Sequence, residues 1–451
     1  MRLTLIHPAI GRRPGVNYMR TWQMQPLPIA VLAALTPRDV ELSFHDDRME
    51  AIPFDKPADL VAIPVETYTA KRAYQIASEY RKRGVPVVMG GFHATLAPDE
   101  VSKYAESIVL GEAEGVWQQV IDDARSDRLQ PVYRATDRPP LAAVRYDRSL
   151  FRGRRYLPIG LIETGRGCRF PCEFCAVQTF FERTARHRPI DAIVAELREL
   201  RHRHRLFFFV DDNFAASLKF AKELVEALIP LNVRWVTQMS INAAHDEEFL
   251  AKLARSGCRG VLIGFESLDE AVLRSMRKNF NTMKGGFGVA LANLRRHNIR
   301  VYGTFVFGYD GDRRDASAEA AEFAIDHRFY LAAFNHLTPF PGTPLYTRLA
   351  QQGRLLYERW WLDERYRYND LPFQPEGMSA ADVRDGCLRA RRSFYTWKSM
   401  VQRAFDPVNR SDFFMLRNFF LINGMHRVEV STRDQFPLGD PLWQGQLLSA
   451  A

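Results

Sequence analysis

The stretch ETGRGCRFPCEFCAVQTFF, residues 163 to 181, contains three of the chain's five cysteines, Cys168, Cys172 and Cys175. Their spacing is C-x3-C-x2-C, and no fourth cysteine follows nearby. Thiolates grouped in this way suit zinc or an iron–sulfur cluster. Structural zinc takes four ligands, and the nearest imidazole downstream is that of His187. Zinc therefore stays open as an alternative, whereas a cubane cluster held by three cysteines leaves one iron atom without a protein ligand.

Short apolar strands alternate with amphipathic helices on both sides of the cysteines. The predicted strands are PIGLIET, LFFFVDD, RWVTQMSI, GVLIGFE, RVYGTFVFGY and AFNHLTPF. Six strand–helix units predict a partial, TIM-like (β/α)6 barrel over residues 156–345. In such barrels the chemistry lies at the carboxyl ends of the strands. Polar residues stand at five of these ends: Glu163 and Thr164; Asp211, Asp212 and Asn213; Gln238 and Ser240; Glu266; Tyr309 and Asp310.

The rest of the chain divides into three further segments. Residues 1–126 alternate strands and helices in the manner of a doubly wound (Rossmann or flavodoxin-like) parallel sheet, whose ligands lie beyond the carboxyl ends of the strands. Residues 127–155 are rich in Pro, Arg and Asp without periodicity, which predicts a linker. Residues 346–451 are aromatic and arginine-rich and predict a mainly helical region, with most aromatics in its core and a minority lining a pocket for an apolar substrate.

Composition limits the class of protein. A chain of 451 residues with 46% hydrophobic and 25% charged residues is typical of a globular protein with two or three domains. No apolar run is long enough to predict a membrane span or a secretory signal. Clustered rather than dispersed cysteines indicate a reducing compartment, so we expect a cytoplasmic protein. The formal charge of +9 permits weak contact with an anionic membrane, and we expect no nucleic-acid partner.

The cysteine stretch resembles the signature of the radical S-adenosylmethionine (SAM) superfamily, C-x3-C-x-aromatic-C after the first strand of a (β/α) barrel. In this chain the matching residues are Cys168, Cys172, Phe174 and Cys175. The resemblance implies a 4Fe-4S cluster whose open iron chelates the amino and carboxylate groups of SAM. It further implies that one electron from the reduced cluster cleaves SAM, and that the resulting 5′-deoxyadenosyl radical abstracts hydrogen from a substrate.

The same resemblance suggests which side chains contact SAM. Phe174 resembles the residue that packs against the adenine. The second strand often ends in Gly-Gly-Glu in this family, but here it ends in VDDNF, so the ligand of the amino group stays open among Asp211, Asp212 and Asn213. Gln238, Ser240 and Glu266 resemble ribose and carboxylate contacts.

Residues 1–126 resemble the cobalamin (B12)-binding domain that precedes the barrel in one class of this superfamily. The matching stretches are WQMQPLPIAVLAALTP, DLVAIPVETYTAKRAYQIA, VVMGGFHATLAPDE and SIVLGEAEGVW. Glycines at strand ends allow a large planar group to approach the backbone, and hydroxyls stand at neighbouring strand exits. The expected binding residues are Thr67, Tyr68, Thr69, Gly90, Gly91, Thr95, Gly111 and Glu112.

No D-x-H-x-x-G motif supplies a histidine for the cobalt. We therefore expect cobalamin without a histidine ligand and interpret His7, His45 and His93 as ordinary strand-end residues. A related domain that has lost the corrinoid stays an alternative.

These resemblances imply an enzyme that methylates an unactivated carbon of a small or apolar substrate, such as a lipid, a porphyrin-like molecule or a natural product. An oxidative cyclase or ring-rearranging enzyme is the alternative. A tRNA methylthiotransferase is disfavoured because no cysteine precedes Cys168 and the tail is helical, and a zinc-structured binding protein is a further alternative. We expect a flavodoxin- or ferredoxin-type reductant. Cys258 and Cys387 are interpreted as small buried hydrophobes on helical segments.

Overall fold

Two parallel β-sheets organise the chain, each with six strands. The computed structural model describes residues 1–282 and 285–449. Residues 450 and 451, the end of the predicted helical region, lie outside the described residues. Within the described part, no helix combines the length and the apolar character needed to cross a bilayer.

The first sheet has the strand order β2-β1-β3-β4-β5-β6, and all neighbouring strands are parallel. Its strands are β1 (Arg2–His7), β2 (Glu41–Asp46), β3 (Leu60–Pro64), β4 (Val87–Gly90), β5 (Ser107–Leu110) and β6 (Val132–Arg134). The order 2-1-3-4-5 is that of a flavodoxin-like doubly wound sheet, as predicted. The last strand differs from expectation, because it comes from the segment predicted as a linker.

Helices cover both faces of this sheet because its strands are apolar on both sides. The helices are α1 (Leu27–Leu35), α2 (Ala70–Arg81), α3 (Phe92–Leu96), α4 (Pro98–Val101) and α5 (Trp117–Arg125). α1 and α5 pack on one face together with Phe151 from the predicted linker and Tyr156, the first residue of the predicted barrel. α2, α3 and α4 pack on the other face.

The C-terminal region completes that second face. Trp360, Trp361, Tyr366 and Leu438 are all buried in the same core cluster as β3, β4 and α2. The indole nitrogen of Trp361 donates to Oε1 of Glu100 at 2.8 Å, which satisfies the buried N–H. The region predicted as a helical appendage therefore contributes core residues to the first sheet.

The second sheet has the order β14-β13-β12-β11-β10-β7, so sequential strands are neighbours and all are parallel. Its strands are β7 (Gly160–Ile162), β10 (Phe207–Phe209), β11 (Trp235–Gln238), β12 (Cys258–Glu266), β13 (Arg300–Phe307) and β14 (Leu331–His336). Between β7 and β10 in the chain, β8 (Gly165–Arg166) and β9 (Arg186–His187) form a separate antiparallel hairpin. In the described part β7 and β14 do not pair with each other, so the barrel is partial, as predicted.

Amphipathic helices surround this sheet. They are α6 (Ala176–Phe180), α7 (Ile190–Leu200), α8 (Leu218–Leu228), α9 (Glu247–Arg255), α10 (Glu270–Ser275), α11 (Gly286–Arg296), α12 (Ala316–Asp326) and α13 (Pro344–Gln351). Three more helices, α14 (Ala380–Phe394), α15 (Trp397–Ala404) and α16 (Phe413–Arg433), form the predicted helical C-terminal region. Several begin at a side chain that accepts a backbone N–H, as Ser217, Asp246 and Asp269 do for α8, α9 and α10.

Candidate functional site

The three cysteines lie in the loop between β8 and α6, at the carboxyl end of the first barrel strand. Cys172 is buried, and Cys168 and Cys175 are half-buried. Cys175 is the N-cap of α6, and its backbone N–H donates to the carbonyl of Cys172 at 3.2 Å. The β8–β9 hairpin closes the base of the loop, so one rim of the barrel carries all three thiols.

Burial shapes the acidity of the thiols. Desolvation raises the pKa of Cys172 to about 12, although the nearby Lys278 ammonium opposes the shift. Burial also raises the pKa of Cys175, and hydrogen bonds from the backbone N–H groups of Val177 and Gln178 oppose it. Thiols of this kind are neutral until a cation stabilises the thiolate, so metal binding here releases protons.

The donor set fits an iron–sulfur cluster better than zinc. In residues 1–282 and 285–449, no three Cys, His, Asp or Glu side chains converge on a position for one metal ion. His187, the fourth ligand in the zinc alternative, stacks instead on the ring of Phe220, with centroids 4.0 Å apart. Each cysteine of a cubane binds a different iron atom, so its three sulfurs need not converge on one point. The structure thus offers no zinc ligand set around Cys168, Cys172 and Cys175.

Glu173 anchors the cysteine loop to the far end of the barrel. Its Oε1 accepts from Nε of Arg348 at 2.7 Å, and its other carboxylate oxygen accepts from the hydroxyl of Tyr309. Arg348 also pairs with Asp310 at 2.6 Å. Tyr309 and Asp310, which follow β13, therefore help to fix the position of the cysteine loop: Tyr309 contacts Glu173 directly, and Asp310 does so through Arg348.

The second barrel strand is followed by three polar residues with different environments. Both carboxylate oxygens of Asp211 are taken by the β7–β8 turn, where they accept from the backbone N–H and hydroxyl of Thr164 and from the N–H of Gly165. Burial raises its pKa to about 7. Asp212 accepts from the N–H of Gly167 at 2.7 Å, and burial raises its pKa to about 6. Asp212 faces the open cleft described below, whereas Asp211 holds the loop.

Asn213 connects the cysteine loop to the third strand exit. Its Nδ2 lies 3.8 Å from Sγ of Cys168 and 3.2 Å from Oγ of Ser240. Gln238 donates from Nε2 to the backbone carbonyl of Asp211. Asn213 thus connects Cys168 to Ser240, and Gln238 contacts Asp211 at the neighbouring strand exit, as expected for residues at one rim.

Glu266 ends the fourth strand in the left-handed region, with φ of +62°. Nζ of Lys278 donates to its Oε1 at 2.5 Å and to the carbonyl of Gly264 at 2.9 Å. Lys278 was not among the predicted site residues, although it is buried and its charge acts on Cys172. A lysine between α10 and a polar turn carries no sequence signal of such a role. Phe174, the expected adenine contact, is partly buried against the barrel core.

A cleft of about 260 Å³ separates the first sheet from the barrel rim. On one side lie the carboxyl ends of β3, β4 and β5, where Pro64, Gly90, Gly91 and Gly111 contribute to the wall. On the other side lie the barrel residues Glu163, Gly165, Arg166, Val210 and Asp212, which follow β7 and β10. Apolar side chains fill much of the remaining wall: Leu27, Val31, Phe92, Trp117, Phe180 and Phe181.

The glycines keep the sheet side of the cleft free of side chains. Gly91 has φ of +95°, and a Cβ there would lie 3.1 Å from the carbonyl oxygen of Val65, so only glycine suits this turn. A Cβ on Gly111 would meet no atom within 4 Å, which leaves its backbone open to a ligand. This open surface, with apolar side chains along the remaining wall, fits a large planar group.

The expected hydroxyls have structural partners. Thr95 donates to the carbonyl of Gly91 and accepts from the N–H of Gly111 at 2.9 Å, so it joins two strand exits. Thr67 contacts Nδ1 of His93, and Thr69 bonds to the backbone of Glu66. Tyr68 packs against Phe340, Trp360 and Tyr368, and none of Thr67, Tyr68, Thr69 and Thr95 lines the cleft.

Glu112 lines the cleft and joins the first sheet to the barrel. Its carboxylate pairs with Arg166 at 2.7 Å and with Arg186, both in the β8–β9 hairpin. Arg166 also pairs with Glu114 at 2.7 Å and with Glu163 at 2.9 Å. These cations hold the pKa of Glu112 below its usual range despite burial. The carboxylate of Glu112 is therefore occupied by arginines from the barrel.

None of the three N-terminal histidines lines the cleft. His93 is fully buried, and its Nε2 lies 3.2 Å from Oε1 of Glu100 on the far side of β4. Burial lowers the pKa of His7 to about 3. A planar ligand in this cleft would accordingly meet no histidine from His7, His45 or His93.

The two remaining cysteines are separate from this site. Cys387 is buried in α14, as expected. Cys258 is also buried, but it begins strand β12 rather than lying on a helix.

Comparisons with known proteins agree with this geometry. The model of the Radical SAM superfamily matches residues 162–324. The chain is 30% identical over 391 residues to the bacteriochlorophyllide d C-12(1)-methyltransferase of Chlorobaculum tepidum, with 84% of each chain covered. It is 23% identical over 447 residues to the anaerobic magnesium-protoporphyrin IX monomethyl ester cyclase of Cereibacter sphaeroides, covering 89% of this chain and 71% of the cyclase.

Among solved structures, the fold matches that of TsrM from Kitasatospora setae. TsrM is a radical SAM methyltransferase whose structure was determined with cobalamin and a [4Fe-4S] cluster bound. The superposition has a TM-score of 0.64 and covers 90% of this chain and 89% of TsrM, at 17% identity. The two chains therefore share the arrangement of an N-terminal doubly wound sheet and a partial barrel.

Proposed function

The chain belongs to the radical SAM superfamily, in the class with an N-terminal cobalamin-binding domain, and we propose that it methylates an unactivated carbon of an apolar, porphyrin-like substrate. When bound, the cluster with SAM supplies a radical that removes hydrogen from the substrate, and cobalamin supplies a methyl group. The protein's own task is to hold these groups, to position the substrate and to exclude water.

One observation carries the proposal. A single cleft is walled by the glycine-rich strand ends of the first sheet and by the barrel rim that bears the cysteine loop. Asp212 belongs to the same cleft, and the neighbouring Asn213 contacts Cys168. A planar cofactor on the sheet would accordingly face the chemistry at the rim. Methyl transfer between two cofactors and one substrate requires such a shared space.

The residues of the rim suggest a division of roles. We expect Cys168, Cys172 and Cys175 to bind three irons of the cluster. The buried Lys278 next to Cys172 would balance part of the negative charge of the thiolates. We expect Phe174 and the polar residues beside Cys168 to contact SAM: Asp212, Asn213, Gln238 and Ser240. We do not expect Asp211 and Glu266 to contact SAM directly, because their carboxylates already bind Thr164 and Lys278. Their role would be to position the neighbouring residues of the rim.

The walls of the cleft support an apolar substrate. Phe92 and Phe180 stack with ring centroids 4.3 Å apart, and Phe181 contacts both rings edge-on. Aromatic faces of this kind suit flat conjugated ligands. The similarity to a bacteriochlorophyllide methyltransferase over 84% of the chain favours a porphyrin-like substrate. Trp117 closes another part of the wall.

Oxidative cyclisation is the second candidate, because the chain also aligns with a magnesium-protoporphyrin cyclase along 89% of its length. Both reactions would begin with hydrogen abstraction at the same rim. They differ in the fate of the SAM methyl group, which ends on the substrate only in methylation.

The test is a labelling experiment on protein purified and reconstituted without oxygen. The protein is incubated with a reductant, trideuteromethyl-labelled SAM and bacteriochlorophyllide d or a magnesium porphyrin, and the products are analysed by mass spectrometry. Methylation predicts 5′-deoxyadenosine and a pigment that carries the label. Pigment that changes mass without the label, with 5′-deoxyadenosine formed, would assign the cyclase reaction instead.

The physiological electron donor is expected to be a flavodoxin or ferredoxin, since the cluster needs a low-potential electron. All five cysteines are free thiols, which suits the reducing cytoplasm expected from the sequence.

A further inference from the structure

Helices α15 and α16 expose apolar side chains that no part of the described chain covers. Trp397 and Val401 of α15 and Phe405, the residue after its last turn, follow one another at intervals of four residues, and 60%, 45% and 69% of their surfaces are exposed. This spacing places all three on one side of the helix. The opposite side is buried through Met400 and Ala404. α15 therefore has apolar residues on two sides: one side is buried against the protein, and the other faces outward.

α16 continues this outward surface. Phe413, Leu421 and Val428 are 80%, 54% and 67% exposed, whereas Met415 and Phe419 on the other side pack against Met400 of α15. α15 and α16 contact each other. We define the basic apolar face as these exposed apolar residues, Trp397, Val401, Phe405, Phe413, Leu421 and Val428, together with the cations around them.

The cations of the basic apolar face are uncompensated. Five exposed basic residues have no ion-pair partner within the described chain: Arg392, Lys398, Arg410, Arg417 and Arg427. The acidic residues of α15, α16 and the turn between them are engaged elsewhere. Asp406 pairs with Arg295, Asp412 caps α16, and Glu429 pairs with Arg433. The face thus combines apolar side chains with a positive charge.

A recess of about 290 Å³ adjoins the face between α14 and α16. Arg392, Arg427, Tyr395 and Ser431 line it. The guanidinium of Arg427 also lies over the ring of Trp397, 5.6 Å from its centroid. Two arginines at the edge of an apolar surface provide hydrogen-bond donors for phosphate oxygens.

We propose that the basic apolar face docks the protein on a bilayer surface rich in anionic phospholipids. Its tryptophan, phenylalanine and leucine side chains enter the boundary between headgroups and acyl chains, while arginine and lysine contact phosphates. A second copy of the chain is the poorer occupant, because a symmetric contact would bring both sets of cations together. This inference does not depend on the chemistry proposed for the cleft.

The test uses flotation of the full-length protein, purified without oxygen, with vesicles. We expect it to partition onto vesicles of equal phosphatidylglycerol and phosphatidylcholine at least tenfold more strongly than onto phosphatidylcholine alone, and to be released by salt. Replacing sodium chloride by inorganic phosphate at constant, low ionic strength should leave binding unchanged. Equal partition onto both vesicles, no binding, or release by phosphate alone would overturn the proposal.

Two sets of variants connect the effect to this face. The triple substitution Phe405→Ser, Phe413→Ser and Leu421→Ser should weaken partition at least tenfold, and so should the pair Lys398→Glu and Arg417→Glu. The controls are Val132→Ser, Val289→Ser and Leu442→Ser, which replace exposed apolar residues elsewhere, and the pair Arg128→Glu and Arg198→Glu. Light scattering completes the test: a dimer that the triple variant converts to a monomer would assign the face to self-association and overturn lipid docking.

Discussion

Nε of Arg348 donates a hydrogen bond to Oε1 of Glu173 at 2.7 Å, although 175 residues separate them in the chain. Glu173 lies between Cys172 and Phe174, so this pair joins the cysteine loop to helix α13, which follows the last barrel strand. The first and last units of an open barrel are thereby connected at the rim where the cluster is expected.

We predict that Arg348→Ala weakens the hold on the cluster without unfolding the barrel. A hydrogen bond to a charged group contributes roughly 1.5–3 kcal/mol, so the iron should be lost to a chelator about tenfold faster or more. The measurement is the decay of cluster absorbance under an iron chelator. Arg313→Ala, which removes an exposed ion pair with Glu319, is the control and should match the wild type. Equal decay in both variants would contradict the anchoring role.

The cysteines provide a second prediction. Cys172→Ala should lose most of the iron, because Cys172 is an expected cluster ligand. Cys387→Ala should keep it, because that thiol is buried in α14 away from the rim. Iron and sulfide content per chain after anaerobic reconstitution distinguishes the two. The assignment fails if both variants bind the same amount of iron.

A third prediction concerns the contact between the two halves of the molecule. Arg166 pairs with Glu112, Glu114 and Glu163, so Arg166→Met would leave three carboxylates without their common partner. Breaking a buried pair costs about 3–5 kcal/mol, and the cleft should lose its shape. We expect corrinoid content after gel filtration to fall several-fold. Arg125→Met removes a surface pair with Asp39 and should have no effect; equal losses in both would refute the idea.

Trp360 offers a fourth prediction, on stability. It is fully buried in the core beneath the first sheet, so Trp360→Ala should lower the free energy of unfolding by about 3–5 kcal/mol. Trp397→Ala should change it by less than about 0.5 kcal/mol because Trp397 is 60% exposed. Urea denaturation followed by circular dichroism measures both. Similar values for the two tryptophans would mean that the C-terminal region does not complete this core.

Local patterns made much of the fold predictable. The cysteine spacing, the apolar strands such as Phe207–Phe209 and the glycines at strand ends are features of consecutive residues, and the alternation of strands and helices predicts parallel sheets. The polar residues at strand exits were predictable as a set, because parallel strands end at one rim.

Contacts between distant residues were not predictable. The role of Lys278 depends on Glu266 and Cys172, and that of Arg348 depends on Glu173. Lysines and arginines usually lie on solvated surfaces, so neither side chain signals burial in the sequence. Trp360 and Trp361 were expected in a helical core but pack under the first sheet, because no local pattern says which sheet an aromatic segment will cover. The position of Asp211 at a strand exit suggested a contact with SAM, but its carboxylate accepts hydrogen bonds from Thr164 and Gly165 in the β7–β8 turn.

The central claim is that three cysteines hold a cluster with an open iron that binds SAM. Electron paramagnetic resonance of the reduced protein, purified without oxygen, tests it most directly when spectra are recorded with and without SAM. We expect SAM to change the cluster signal in the wild type, and we expect no cluster signal from Cys172→Ala. A reduced-cluster spectrum that SAM leaves unchanged would contradict it.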